Sequence, residues 1–140
     1  MPNHFHLLLK QNDKDGISKF VGNLSNSYTR YFNTKNKRSG PLLQGKFKAV
    51  RIETDEQLLH VARYIHLNPY TSFIVKNIEA LTQYPYSSLS KYLKLHDNKI
   101  LNKDLIITHF KTFKLFKGFT FNQAEYQKQL GNIKHLILEK

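Results

Sequence analysis

The sequence predicts a mixed domain in which amphipathic helices are joined to short strands. Three observations carry that expectation. Ile17, Phe20, Val21, Leu24, Tyr28, Tyr31 and Phe32 recur at helical spacing. Lys46 and Lys48 alternate with Phe47 and Ala49, and Val50 to Ile52 continue an extended pattern. Thr54 and Gln57 have the spacing of a capping box just before Leu58, Leu59, Ala62 and Ile65.

The remaining elements follow in chain order. His4 to Lys10 reads as a short strand. Asp13 or Asp15 is placed to cap the first helix, and Asn33 to Pro41 forms a polar, basic loop ending in a Gly-Pro break. Asp55 and Glu56 suit the positive end of the second helix, and Pro69 is expected to end it near Asn68. Tyr84 to Ser88 reads as a turn, with Ser87 capping a short helix to about Leu93. Leu101 to Phe110 and Asn122 to Leu138 read as helices, separated by an apolar stretch from Phe113 to Phe121 that Gly118 interrupts.

Composition limits the function. The 140 residues suit one domain and include no cysteine, which excludes disulfides, zinc fingers and thiol catalysis. A chain without disulfides fits the cytoplasm. No apolar run approaches the roughly 20 residues of a membrane span, and Leu7 to Leu9 is too short for a signal-peptide core. The net charge of +12 points to a polyanionic partner, with nucleic acid the first candidate.

Two groups of residues have the spacing of a reactive site. In a strand, His4 and His6 face one side about 7 Å apart, so both imidazoles can reach one divalent cation. The same spacing also describes an ordinary polar sheet face. On a helix, Tyr64 and Asn68 share a face about 6 Å apart. Asn68 can then offer an amide oxygen beside the Tyr64 phenol, which becomes a useful nucleophile when a metal polarises the phosphate under attack. A core tyrosine and a helix-ending Asn-Pro would look alike. His60, one turn before Tyr64, is a candidate base or orienting residue, whereas His66 lies on another face. Lys37, Arg38, Lys46, Lys48 and Arg51 are candidate DNA contacts, and Tyr28, Tyr31 or Phe47 are placed to stack on bases.

Met1-Pro2-Asn3-His4-Phe5-His6-Leu7-Leu8-Leu9, Gly40-Pro41-Leu42-Leu43-Gln44-Gly45-Lys46-Phe47-Lys48 and Ala62-Arg63-Tyr64-Ile65-His66-Leu67-Asn68-Pro69 occur in that order. Tyr84-Pro85-Tyr86-Ser87-Ser88 with Tyr92-Leu93 follows. Together they resemble the HUH single-tyrosine transposases, specifically the group associated with repetitive extragenic palindromes. The resemblance runs from Met1 to about Leu93.

That resemblance implies an α+β, ferredoxin-like antiparallel sheet with flanking helices. It implies His4, His6 and Asn68 as ligands of Mg²⁺ or Mn²⁺, and Tyr64 as the nucleophile that keeps a 5′-phosphotyrosine. The substrate would be single-stranded or hairpin DNA, cut and rejoined during transposition. A DNA-binding remnant without catalysis is the alternative. Residues 1–93 would form the catalytic domain and 94–140 a helical extension. Relatives usually carry a further strand and helix before the Met-Pro-Asn-His segment. The expectation is therefore either a misassigned start or a truncated domain, the 140-residue chain being marginally stable and self-associating, with a homodimer as its simplest form.

Overall fold

A computed structural model describes residues 3–93 and 100–129 of the chain. The backbone divides into two compact units, Leu7–Arg51 and Met1–His6 with Ile52–Lys140.

In the unit Leu7–Arg51, α1 spans Gly16–Lys35, where helical periodicity places it. Asp15 precedes it in a left-handed conformation at φ 62° and gives no side-chain cap. The Gln11 side chain instead accepts the Ile17 N–H at 3.1 Å. Beyond the helix, Asn33 donates to the Gly40 carbonyl at 2.8 Å, and Arg38 donates to Asn33 Oδ1 and the Pro41 carbonyl. These bonds give the basic loop a defined path.

The other unit is built around α2, Asp55–Thr71. Thr54 Oγ1 accepts the Gln57 N–H at 3.1 Å, while Gln57 Oε1 accepts the Glu53 N–H at 2.9 Å. The helix continues through Pro69 instead of ending near Asn68. So close to the terminus, proline removes only one intrahelical donor. The Asn68 carbonyl accepts from Ser72 N–H, and the Pro69 carbonyl from Val75 N–H. Burial of Leu67, Asn68, Pro69 and Tyr70 favours the extra turn.

A 3₁₀ helix, Ile78–Gln83, follows and is capped by Asn77. Next come α3 (Leu89–Leu93), α4 (Asp104–Ile107) and α5 (Phe113–Phe121). Residues 124–129 are also helical. Leu67, Leu81, Leu89, Phe116 and Thr120 form the fully buried centre of this unit.

Three local expectations change. The helix expected over Leu101–Phe110 contracts to Asp104–Ile107. Gly118 lies inside α5 and does not break it. Gly costs about 1 kcal/mol in a helix, less than burying Phe116 contributes. The helix expected over Asn122–Leu138 begins only at residue 124 and is followed to residue 129, and the rest of the expected span lies outside the described residues.

The antiparallel, ferredoxin-like sheet is not present, since no strand forms among the described residues. The segments 4–10 and 46–50 take part in no backbone ladder. Alternation marks a face that a sheet could bury, but a strand exists only by exchanging backbone hydrogen bonds with a neighbour. Without one, Phe5 stays 51% exposed and Val50 84% exposed.

Candidate active site

Helix α2 presents two working faces because its sequence superposes two patterns. Ala62, His66 and Leu67 are buried, whereas Tyr64 remains 49% exposed. Asn68 follows Tyr64 by four residues, one helical turn further on, and is itself buried.

His4 and His6 meet this part of α2 within the same unit. The His6 ring lies 5.7 Å from the Tyr64 ring, edge to face. Asn68 Nδ2 donates to His6 Nε2 at 3.2 Å. The His4 ring is 5.1 Å from His6 and nearly perpendicular to it. Thus His4, His6, Tyr64 and Asn68 lie together although some sixty positions separate the two pairs.

The hydrogen bonds fix the chemistry of the donors. His4 Nδ1 donates to Asn3 Oδ1 at 2.7 Å, which leaves the lone pair on Nε2. His6 accepts through Nε2, so its proton resides on Nδ1. Partial burial, then the neighbouring His4 charge, holds the His6 imidazole below its ordinary pKa and favours the neutral, ligating form. Two imidazole nitrogens and one carboxamide oxygen would suit a divalent cation that keeps further positions for water or phosphate oxygens, although here the amide N–H of Asn68, not its oxygen, faces His6. No cluster of three or more His, Asp or Glu side chains suited to a metal occurs among the described residues. Any metal held here would therefore rely on the amide as its third protein ligand.

His60 has different neighbours. Its Nδ1 accepts from the Arg63 guanidinium at 2.6 Å, Nε2 lies 3.9 Å from Glu56, and its ring faces Phe119. Arg63 is buried, lies 4.4 Å over the Phe119 ring and donates to the Phe119 carbonyl. Burial lowers its pKa. These contacts anchor the middle of α2 against α5.

His66 points into the core. Its Nε2 is hydrogen-bonded to Ser88 Oγ at 3.1 Å, and its ring packs on Tyr92 and Phe116. Burial pushes its pKa down to about 4. This interaction gives a physical reason for the Tyr-Ile-His and Tyr-Pro-Tyr-Ser-Ser segments to occur in one chain, because the second supplies the polar partner of the first.

Lys37, Arg38, Lys46, Lys48 and Arg51 all belong to the unit Leu7–Arg51. All five are exposed. Lys37 has a left-handed backbone at φ 49°. Arg38 is committed to the loop through Asn33 and Pro41, and it lies 5.9 Å over the Phe32 ring. Tyr28 and Phe47 are about half exposed, and Tyr31 is 60% exposed.

Two polar neighbours of the site were missed in sequence. Asn3 adjoins His4, and Ser72 repeats the four-residue spacing from Tyr64 to Asn68. That spacing was the available signal for Ser72.

Residues 1–68 match the family model described as "Transposase IS200 like". No curated protein and no solved structure matches the chain.

Proposed function

We infer a role in DNA transposition, by single-strand DNA cleaving and rejoining centred on Tyr64, from the match of residues 1–68 to the IS200-like transposase family. The observation that supports this reading is the gathering of His4, His6 and Asn68 beside the half-exposed Tyr64.

In this reading, the Tyr64 Oη attacks a DNA phosphorus and its proton leaves to the solvent that reaches the exposed phenol. The bond from phosphorus to the 3′ oxygen breaks. That oxygen takes a proton and departs as a 3′-hydroxyl, while the 5′ side stays on Tyr64 as a phosphotyrosine. Rejoining is the reverse attack by a 3′-hydroxyl, which releases the tyrosine. No electrons are gained or lost. His4, His6 and Asn68 would hold Mg²⁺ or Mn²⁺, which when bound supplies polarisation of the scissile phosphate. The net charge of +12 and the exposed basic residues between Lys37 and Arg51 favour capture of the strand.

End-labelled hairpin DNA incubated with the chain and Mn²⁺ tests the proposal on a denaturing gel. A covalent protein–DNA band should form with the native chain and disappear with Tyr64→Phe, while binding persists. An adduct that survives in Tyr64→Phe moves the nucleophile elsewhere. DNA binding with no adduct under any metal condition favours the remnant that binds without cutting.

A further inference from the structure

The Asn68 side chain has partners at both ends. Its Nδ2 donates to His6 Nε2 at 3.2 Å, while its Oδ1 accepts from Ser72 Oγ at 3.1 Å. In this orientation the amide N–H group occupies the imidazole lone pair that a cation would use. The carboxamide oxygen is turned towards the helix end. Metal ligation therefore requires a half-turn of the carboxamide, bringing Oδ1 towards His6 and Nδ2 towards Ser72.

A serine hydroxyl serves both orientations because it can donate one hydrogen bond and accept others. It donates to Oδ1 in the first orientation and accepts from Nδ2 in the second. Asn68 is 5% exposed, so leaving either end unpaired carries a desolvation cost. Its backbone is held as well. The Asn68 carbonyl accepts from Ser72 N–H at 3.0 Å and from Thr71 Oγ1 at 3.2 Å. Thus the final turn of α2 fixes the main chain, and rotation of the amide is the movement left.

We propose that Ser72 is a positioning residue for Asn68, its hydroxyl holding the carboxamide in a metal-free orientation bonded to His6 and in a second orientation that presents Oδ1 to a divalent cation. This rests on the reading of His4, His6 and Asn68 as metal ligands. Ser72 touches neither the cation nor DNA in the proposal. It acts through Asn68 alone.

Direct Mn²⁺ binding to the full chain, followed by calorimetry and by the paramagnetic resonance signal of free Mn²⁺, tests the role without relying on DNA cleavage. Ser72→Ala should weaken Mn²⁺ binding about ten-fold, the lower end for a residue that supports a ligand, because water can partly replace an exposed hydroxyl. Ser72→Thr, which keeps the hydroxyl, should bind within about two-fold of native. Asn68→Ala should lose more affinity than Ser72→Ala. Thermal melting of each variant without metal checks folding, and Ser72→Thr keeps the test usable if the alanine variant melts early. Native affinity in Ser72→Ala, beside a native chain whose binding depends on His4 and His6, overturns the Ser72 proposal while leaving the metal site standing. A native chain that takes up no Mn²⁺ overturns the metal reading and the Ser72 role with it.

Discussion

Acidification provides a direct measure of how firmly the core of the larger unit holds His66. The folded imidazole has a pKa of about 4 because burial disfavours its charged form. In the unfolded chain it returns to the ordinary value near 6.5. Between those values the unfolded chain binds a proton that the folded chain refuses. The contribution is fully present above pH 6.5 and is lost as pH falls towards 4. At pH 5 the difference is about 1.5 pH units, or roughly 2 kcal/mol. That is a large fraction of the 5–15 kcal/mol typical of a folded domain. Urea unfolding at pH 7 and pH 5 should therefore show a steep loss in the native chain. His66→Phe keeps an aromatic ring against Tyr92 and Phe116 but cannot titrate, and should lose roughly 2 kcal/mol less over the same interval. Its stability at pH 7 should fall modestly, since Ser88 loses its imidazole partner. The other histidines and the carboxylates are common to both proteins and cancel in the comparison. Equal acid sensitivity in the two chains would refute a buried neutral His66.

Phe73 occupies a left-handed backbone conformation at φ 59°, just beyond the end of α2. Phe73→Gly should raise stability by about 0.5–1 kcal/mol in thermal melts, the relief of strain being partly offset by loss of the Lys128 contact at 5.0 Å. Phe116→Ala should cost about 3–5 kcal/mol, because a fully buried ring touching Tyr92, Phe110 and His66 leaves a cavity. In the same variant, DNA adduct formation should fall with the folded fraction. For binding, the logarithm of affinity for single-stranded DNA should decline linearly with the logarithm of salt concentration. Lys46→Ala and Lys48→Ala should each reduce that slope by about 0.7 if their ammonium groups meet phosphate, as measured by fluorescence anisotropy.

The helices were legible in the sequence to unequal degrees. α1 was read from periodicity, and the start of α2 from the Thr54–Gln57 spacing that appears as two capping hydrogen bonds. Local rules failed where tertiary burial outweighed them. Pro69 and Gly118 are unfavourable inside isolated helices, yet each lies in a helix whose neighbouring residues are buried. The two expected strands failed for a different reason. Alternation at His4–Lys10 and Lys46–Ile52 describes one segment at a time, whereas a sheet is a property of pairs. The proximity of His4 and His6 to α2 could not be calculated from spacing within either segment. Family resemblance alone points to it, and the folded unit supplies the distances.

The short segment from Tyr64 to Ser72 shows why site residues and packing residues were hard to separate. Tyr64, Asn68 and Ser72 recur at four-residue intervals, and the last two are linked by a side-chain hydrogen bond. His66 and Leu67 fall between them and point into the core. A polar residue on this helix therefore has no single meaning. His66 is polar, two residues from the candidate nucleophile in sequence and buried, but its partners are Ser88, Tyr92 and Phe116. Its consequence is stability against acid. Asn68 is equally buried, but its partners are His6 and Ser72, so the same degree of burial constrains a group capable of ligation. The difference lies in which element each side chain meets, and that is set by roughly half a turn of helical rotation rather than by residue type.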